Sequence, residues 1–208
     1  MKYLILLVGA LLAPLAPTIA SADVDDDYIR VGGYFALGLG GDATGQLNSV
    51  DYSAGLDPTI GFGARVERGV WDYVSVGGNF ELMTFEADVL DSEREAVFNL
   101  DLWVRVRYLF EVNRDLWIEP YVGLPIGLSL GVLRDIDDAS GDDDVWPGWN
   151  TGVLAGIQVV TSASVGFFFE AGWRFHQVFT NGRIIVDIDA QLETNQFAMQ
   201  LGAFALFR

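Results

Sequence analysis

The stretch FNLDLWVRVRYLF, residues 98–110, decides the fold of this chain. Its even-numbered residues are all apolar, and the residues between them include Asp101, Arg105 and Arg107. A helix would place Arg105 and Arg107 on opposite sides of its cylinder, whereas a strand places all three charges on one face. The alternation therefore predicts a strand with one apolar and one charged face. Such a strand fits a membrane barrel with its charges inside, or a soluble sandwich with its charges in water.

The composition excludes several classes of protein. The chain has 208 residues and is 51% hydrophobic, yet no run of about twenty apolar residues follows its N-terminal segment, so we expect no spanning helix. It contains no Cys, which excludes a disulfide framework and thiol chemistry. Its formal net charge of −17 argues against nucleic acid as a partner.

Residues 1–22 have the pattern of a signal peptide. Lys2 supplies the positive charge, residues 3–15 are mostly apolar, and Ala20-Ser21-Ala22 matches the small-residue cleavage pattern. A membrane anchor is the alternative, but the apolar run is short and two prolines break it. We therefore expect secretion across the inner membrane, cleavage after residue 22, and a barrel domain over residues 23–208.

The same alternation recurs along the chain and predicts eight strands in an antiparallel up-and-down barrel. These strands span residues 29–39, 59–67, 74–82, 98–110, 118–130, 152–158, 165–176 and 196–207. Three links between them are predicted to be tight turns, at residues 68–72, 111–116 and 161–164. The other four are long and rich in Asp, Gly, Ser and Asn, at residues 40–54, 86–96, 133–147 and 177–195. Short turns at one end and long loops at the other are typical of an outer-membrane barrel.

Residues 183–192 leave the strand count open between eight and ten. They alternate like a strand, and Thr180-Asn181-Gly182-Arg183 has the composition of a hairpin turn. We favour an extension of the last two strands beyond the membrane over an additional hairpin.

The charges of the predicted strands fall on one face. That face carries five arginines and five carboxylates, a balance that suits a narrow lumen where charges must pair. We expect a lumen charge network of Arg30, Arg65, Glu67, Glu81, Asp101, Arg105, Arg107, Glu119, Glu170, Arg174 and His176. We expect the opposite face to contact lipid, through Phe98, Leu100, Leu102, Val104, Val106, Phe167, Phe169, Trp173 and Phe207.

Aromatic residues near the strand ends predict two girdles at the membrane surfaces. The girdle beside the short turns comprises Trp71, Tyr73, Tyr108, Phe110, Trp117 and Phe167. The girdle beside the long loops comprises Trp146, Trp149, Trp173, Phe175 and Phe179.

The segments Glu119–Gly123 and Glu170–Phe175, with the alternation that closes at Phe207, carry a family resemblance. The chain resembles the small outer-membrane β-barrel proteins of Gram-negative bacteria, of the OmpA transmembrane domain and OmpX type. The resemblance implies an all-β transmembrane barrel in the bacterial outer membrane, in contact with lipid and lipopolysaccharide and folded by the barrel-assembly machinery. Arg208 departs from the aromatic C-terminus that is usual in the family. We expect a monomer without a cofactor.

Two further candidate sites are weak. His176 is the only histidine, and lipid A deacylases of similar architecture use a His with a Ser two positions on, where this chain has Val178. We therefore expect a lumen histidine and no enzyme. Residues 135–144, DIDDASGDDD, could offer carboxylates to Ca²⁺, but the EF-hand spacing fails, so a solvated acidic loop is expected.

Three functions stay open at this point. The first is a structural and surface-interaction barrel with a lumen filled by charged side chains and with acidic external loops. The second is a small pore or an OmpW-like conduit for small molecules. A lipid A-modifying enzyme is the third and ranks last.

Overall fold

The computed structural model describes residues 28–47, 50–85, 95–134, 143–161, 164–184 and 186–207. Within them the chain forms ten strands. These are β1 (Ile29–Leu47), β2 (Val50–Gly55), β3 (Thr59–Trp71), β4 (Val74–Phe85), β5 (Glu95–Arg107), β6 (Phe110–Asn113), β7 (Leu116–Arg134), β8 (Asp143–Thr161), β9 (Val165–Ile184) and β10 (Val186–Phe207). The described part of the chain contains no helix long and apolar enough to cross a membrane.

Eight of these strands form a closed antiparallel ring. The order is β1, β3, β4, β5, β7, β8, β9 and β10, and β10 pairs back onto β1 with Ile29 opposite Phe207. Closure gives every ring strand a paired neighbour on both sides, as a barrel in a membrane requires. The predicted eight-stranded barrel is confirmed.

The remaining two strands are short appendages to this ring. β2 pairs only with the far half of β1, where Asp42 lies opposite Gly55. β6 pairs with the first residues of β7. The strand predicted over residues 98–110 is thus divided in two, because β5 ends at Arg107 and β6 begins at Phe110. Between them, the Tyr108 backbone N–H donates to the Pro120 carbonyl at 3.0 Å.

The ring strands are longer than the sequence pattern predicted. β9 continues to Ile184 and pairs with β10 from Val186 onward, so residues 183–192 extend these strands. The predicted turn at residues 180–183 is wrong, because Asn181 lies within β9 opposite Asp189. Much of the predicted loop at residues 40–54 is also strand, because β1 continues to Leu47 and β2 begins at Val50. The Asp, Gly, Ser and Asn residues of this segment had favoured a loop.

A glycine pair bends β1 between its two halves. Gly40 and Gly41 have φ angles of 57° and 131°, a region that L side chains rarely adopt. The register between β1 and β10 shifts here, which marks a β-bulge. The bulge separates the half of β1 that pairs with β3 from the half that pairs with β2.

The two faces of the ring differ sharply. In β5, Asp101 and Trp103 are 1% and 4% exposed, whereas Leu102 between them is 71% exposed. The interior also holds an aromatic cluster near the short turns, made of Tyr28, Tyr34, Ala36, Val160, Phe168, Phe204 and Leu206. The ring therefore has buried side chains on its inner face and exposed apolar side chains on its outer face.

Candidate functional site

Strand alternation brings the charged side chains of six ring strands into the barrel. β1 contributes Arg30, β4 contributes Glu81 and β7 contributes Glu119, and the others come from β3, β5 and β9. All eleven residues proposed for the lumen network are buried: Arg30, Arg65, Glu67, Glu81, Asp101, Arg105, Arg107, Glu119, Glu170, Arg174 and His176. The charges form two groups along the barrel axis.

The first group lies toward the short turns and is called the short-turn cluster. It consists of Arg30, Arg65, Glu67, Arg105, Arg107, Glu119 and Glu170. Arg30 donates to both carboxylate oxygens of Glu119, from Nη2 to Oε1 at 2.6 Å and from Nη1 to Oε2 at 2.7 Å. Its Nη1 also lies 3.2 Å from Oε1 of Glu67. Arg107 reaches Oε2 of Glu119 at 3.5 Å. Strands far apart in sequence are thereby joined across the interior.

Arg105 links the carboxylates of two other strands in the same cluster. Its Nη1 lies 3.3 Å from Oε2 of Glu67, and its Nη2 donates to Oε2 of Glu170 at 2.7 Å. The Tyr121 hydroxyl donates to the same Glu170 oxygen at 2.5 Å. A carboxylate with two such donors is well compensated for its removal from water.

The second group lies toward the long hairpins and is called the hairpin-end cluster. It consists of Arg174, Glu81 and Asp101. Arg174 donates from Nη2 to Oδ2 of Asp101 at 2.8 Å and from Nη1 to Oε1 of Glu81 at 3.4 Å. Nη2 of Arg174 also donates to Oδ1 of Asn150 at 2.8 Å. Gln200 completes Glu81 with a 3.0 Å hydrogen bond to Oε2.

His176 lies beyond the hairpin-end cluster, beside Ser129. Nδ1 of His176 is 3.4 Å from Oγ of Ser129. Ser129 donates its hydroxyl hydrogen to Oδ1 of Asn99 at 2.7 Å and accepts from Nδ2 of Asn150 at 3.1 Å. The Ser129 oxygen is therefore engaged by two amide side chains as well as by the histidine. His176 also lines a mostly apolar cavity of about 30 Å³.

The sequence reasoning counted only charges and missed the uncharged half of the network. Five buried amide side chains each make a hydrogen bond to a charged member of the network: Asn79, Asn99, Asn150, Gln158 and Gln200. For Asn79 and Asn99 the signal was available, because they share the parity of Glu81 and Asp101 on their own strands, whereas β8 and β10 carry no charged member of the network. Parity reveals the face but not the partner.

Aromatic rings cover several of the buried guanidinium groups. The guanidinium carbon of Arg65 lies 3.2 Å from the ring centre of Phe168, and that of Arg105 lies 3.8 Å from Trp103. Such faces offset part of the cost of burying a cation.

Two girdle residues also face inward: Trp117 packs against the aromatic cluster and Trp146 packs against Ala43 and Leu56. Their assignment to the outer girdles was wrong, because each shares parity with buried residues of its strand.

The described residues contain no group of three or more acidic, His or Cys side chains arranged to hold a metal ion. Most of the acidic segment at residues 135–144 lies outside the described residues.

The outer surface is apolar where lipid contact was expected. Eight of the nine residues are 45–71% exposed and point away from the interior: Leu100, Leu102, Val104, Val106, Phe167, Phe169, Trp173 and Phe207. Phe98 is half-buried, since its ring lies 6.2 Å from that of Phe80 on the same surface.

The ladder between β7 and β8 has a gap in this surface. Gly123 pairs with Leu154 and Ile126 with Thr151, but Leu124 and Pro125 between them have no partners on β8, and only the Thr151 hydroxyl donates across to the Pro125 carbonyl at 3.0 Å. Pro125 has no N–H to donate. A groove lined by Leu124, Pro125, Val153 and Trp173, among others, runs along the gap and reaches Arg174. Arg174, which lines this groove, is itself buried.

Comparison with known proteins supports the fold. No protein-family model matches the sequence, and no curated protein sequence matches it significantly. The crystal structure of outer membrane protein OprG from Pseudomonas aeruginosa is similar, with a TM-score of 0.56 and 12% identity over 87% of this chain and 96% of that one. Neisserial surface protein A also matches, with a TM-score of 0.40 and 15% identity over 83% of this chain and 95% of that one. This chain therefore has the fold of a small outer-membrane β-barrel.

Proposed function

We propose that the chain is an integral barrel of the bacterial outer membrane whose lumen is closed by the two charge clusters and whose long-hairpin end interacts at the cell surface. It acts without a cofactor and as a monomer. Its neighbours are outer-membrane lipid and lipopolysaccharide, and the barrel-assembly machinery inserts it. This is a structural and interaction role, without a catalytic step.

The observation that carries the proposal is the set of ion pairs that cross the interior. Arg30 joins β1 to β7, Arg105 joins β5 to β3 and β9, and Arg174 joins β9 to β4 and β5. An eight-stranded barrel has an interior only about wide enough to be filled by side chains. Ion pairs that span this width leave no continuous path for hydrated ions.

The outer surface supports insertion into a membrane. Leu102, Leu128 and Leu201, on three different ring strands, are each more than 60% exposed. No soluble protein gains by exposing an apolar band around its whole circumference, whereas lipid removes its cost. Near the short turns, Tyr73 stacks on Tyr108 with ring centres 6.2 Å apart, as expected for an interfacial belt.

The length of the hairpins supports an interaction role outside the membrane. β9 has 20 residues. With a rise of roughly 3.3 Å per residue and a tilt of about 40°, it spans about 50 Å along the barrel axis, against an apolar band of about 25 Å. β10 has 22 residues and pairs with β9 as far as Val186 opposite Ile184, so the hairpin continues well past such a band.

Planar-bilayer recording of the purified full chain tests the closed lumen. We expect no large, stable channels from the wild type, and brief openings from Arg174→Gln, which removes the cation of the hairpin-end cluster. Arg68→Gln, on the outward face of β3, is the matched control and stays closed. Large, stable wild-type channels refute the proposal.

The gap between β7 and β8 favours a second candidate, a conduit that releases small apolar molecules sideways into the membrane. Because the chain has no Cys, a Leu124→Cys, Val153→Cys pair can close the gap with a disulfide. If the gap is an exit, oxidation slows uptake of a small apolar fluorophore into proteoliposomes. Leu128→Cys with Trp149→Cys, a paired position in the intact ladder, is the control. Equal uptake with and without the Leu124–Val153 disulfide excludes this route.

A further inference from the structure

An apolar groove on the outer surface carries a positive charge at the edge nearest to the short turns. It crosses β3, β4, β5 and β7, and its lining includes Val66, Arg68, Val76, Gly78, Leu102 and Val104. Leu102 is 71% exposed and Val104 is 50% exposed, so the groove is open to the surrounding membrane. Of the residues that line it, Arg68 alone directs a charged side chain outward, because Glu67 is buried in the lumen. A ligand therefore reaches the groove without displacing any part of the packed interior.

Gly78 gives the groove its depth. It lies opposite Val66 on β3 and opposite Leu102 on β5, so the three residues form one outward row. Because the middle residue has no side chain, the row has a gap between two exposed apolar side chains. Val76 and Phe80, the next outward residues of β4, border the gap along the strand. A hydrocarbon chain in this gap gains apolar contacts on several sides, which a flat surface does not provide.

Arg68 lies at the depth where lipid headgroups begin. It is in the row next to that of Gly78 on the short-turn side, opposite Val76. Trp71, three residues further along β3, is 66% exposed. A rise of roughly 3.3 Å per residue and a tilt of about 40° separate the two residues by about 8 Å along the barrel axis. Because interfacial aromatic residues lie at headgroup level, the long Arg68 side chain extends from the apolar region toward the lipid phosphates.

We propose that this groove binds one anionic glycerophospholipid, with its phosphate on the Arg68 guanidinium and one acyl chain over Gly78. A planar guanidinium donates paired hydrogen bonds to two phosphate oxygen atoms. The short turns of such barrels face the periplasm, so the lipid belongs to the periplasmic leaflet. The charge of Arg68 and the apolar gap behind it select the same molecule, one with an anionic headgroup and a long chain.

The inference goes beyond the closed-barrel function and rests only on insertion of the barrel in a membrane. The groove lies on the outer surface, so a conducting barrel would bind the lipid equally well. The Arg68 side chain points away from the lumen, and Arg68→Gln therefore leaves the two charge clusters intact and stays a control for them.

Native mass spectrometry of the purified full chain tests the headgroup contact. The protein is released from micelles that contain equal amounts of phosphatidylglycerol and phosphatidylcholine. The wild type is expected to retain one phosphatidylglycerol, about fivefold more often than phosphatidylcholine. Arg68→Gln lowers this ratio to about one, whereas Arg114→Gln, an exposed arginine in the turn before β7, keeps it. A wild type that retains no lipid, or a ratio that Arg68→Gln leaves unchanged, overturns the proposal.

A second variant tests the acyl-chain contact separately from the charge. Gly78→Val fills the gap, and its Cβ would lie 3.5 Å from Cδ2 of Leu102 and 3.0 Å from the Asp101 carbonyl oxygen, which a small shift accommodates. Total lipid retention is expected to fall about tenfold, the effect of uncovering roughly two methylene groups. Heat-modifiable gel mobility verifies that the variant is folded. Folded Gly78→Val protein with wild-type retention overturns the placement of the chain over Gly78.

Discussion

Replacing Arg174 by Gln removes the cation on which the hairpin-end cluster depends. Arg174 donates 2.8 Å hydrogen bonds to Asp101 and Asn150 and lies 3.4 Å from Glu81. A hydrogen bond to a charged group contributes about 1.5–3 kcal/mol, and breaking a buried ion pair costs about 3–5 kcal/mol. Because both carboxylates stay buried without a counter-charge, we expect a loss of about 3–5 kcal/mol in the free energy of unfolding. That loss lowers the folded-to-unfolded ratio by roughly two to four powers of ten.

The assay is equilibrium urea unfolding of the chain inserted in lipid vesicles, followed by tryptophan fluorescence and gel mobility. The double variant Arg174→Gln, Asp101→Asn recovers about 1 kcal/mol or more of the loss, since it removes one uncompensated carboxylate. Arg68→Gln, on the exposed face of β3, changes stability by less than about 1 kcal/mol. A loss below about 1 kcal/mol for Arg174→Gln, with no recovery in the double variant, would refute the reasoning about the buried pair.

Three other outcomes follow from the same structure. Leu102→Arg places a charge on the most exposed apolar residue of β5 and should destabilise the inserted barrel by about 2–4 kcal/mol, measured by urea unfolding in vesicles. Gly77→Ala should cost about 1–3 kcal/mol in the same assay, because its new Cβ would meet the Val66 carbonyl and the Trp103 ring; an unchanged midpoint contradicts that packing. Replacing residues 181–189 by an Asn-Gly turn should leave a membrane-inserted, heat-modifiable barrel, because this segment pairs with neither β8 nor β1. Loss of membrane insertion in that deletion would show that the hairpin tip is needed for folding.

The faces of the ring strands could be predicted from the sequence because a strand has a period of two. Asp101, Arg105 and Arg107 had to share one face once residues 98–107 were a strand, and so did Leu102 and Val104 on the other. Strand ends were harder to place. Residues 177–195 include Thr180-Asn181-Gly182-Arg183, whose composition favours a turn, yet β9 and β10 pair through most of this segment.

The pairings inside the barrel could not be predicted from the sequence. Arg30 and Glu119 are 89 residues apart, and their contact depends on ring closure and on the stagger of the strands. Strand parity also could not show that Arg65 has no hydrogen bond while Arg105 has two carboxylates. Nor could a count of aromatic residues near strand ends separate the outward Trp173 from the inward Trp117, although parity could have done so.

The most direct test of the central claim is a probe of which face of β5 meets lipid. Single cysteines at positions 99 to 106 can each carry a spin label, since the chain has no native Cys. Collision with oxygen, which concentrates in lipid, is measured against collision with a water-soluble nickel complex. The labels at Leu100, Leu102, Val104 and Val106 are expected to collide mainly with oxygen, and those at Asp101 and Trp103 with neither reagent. High oxygen collision at the odd-numbered positions, or nickel collision at the even-numbered ones, would contradict a barrel with its charges inside.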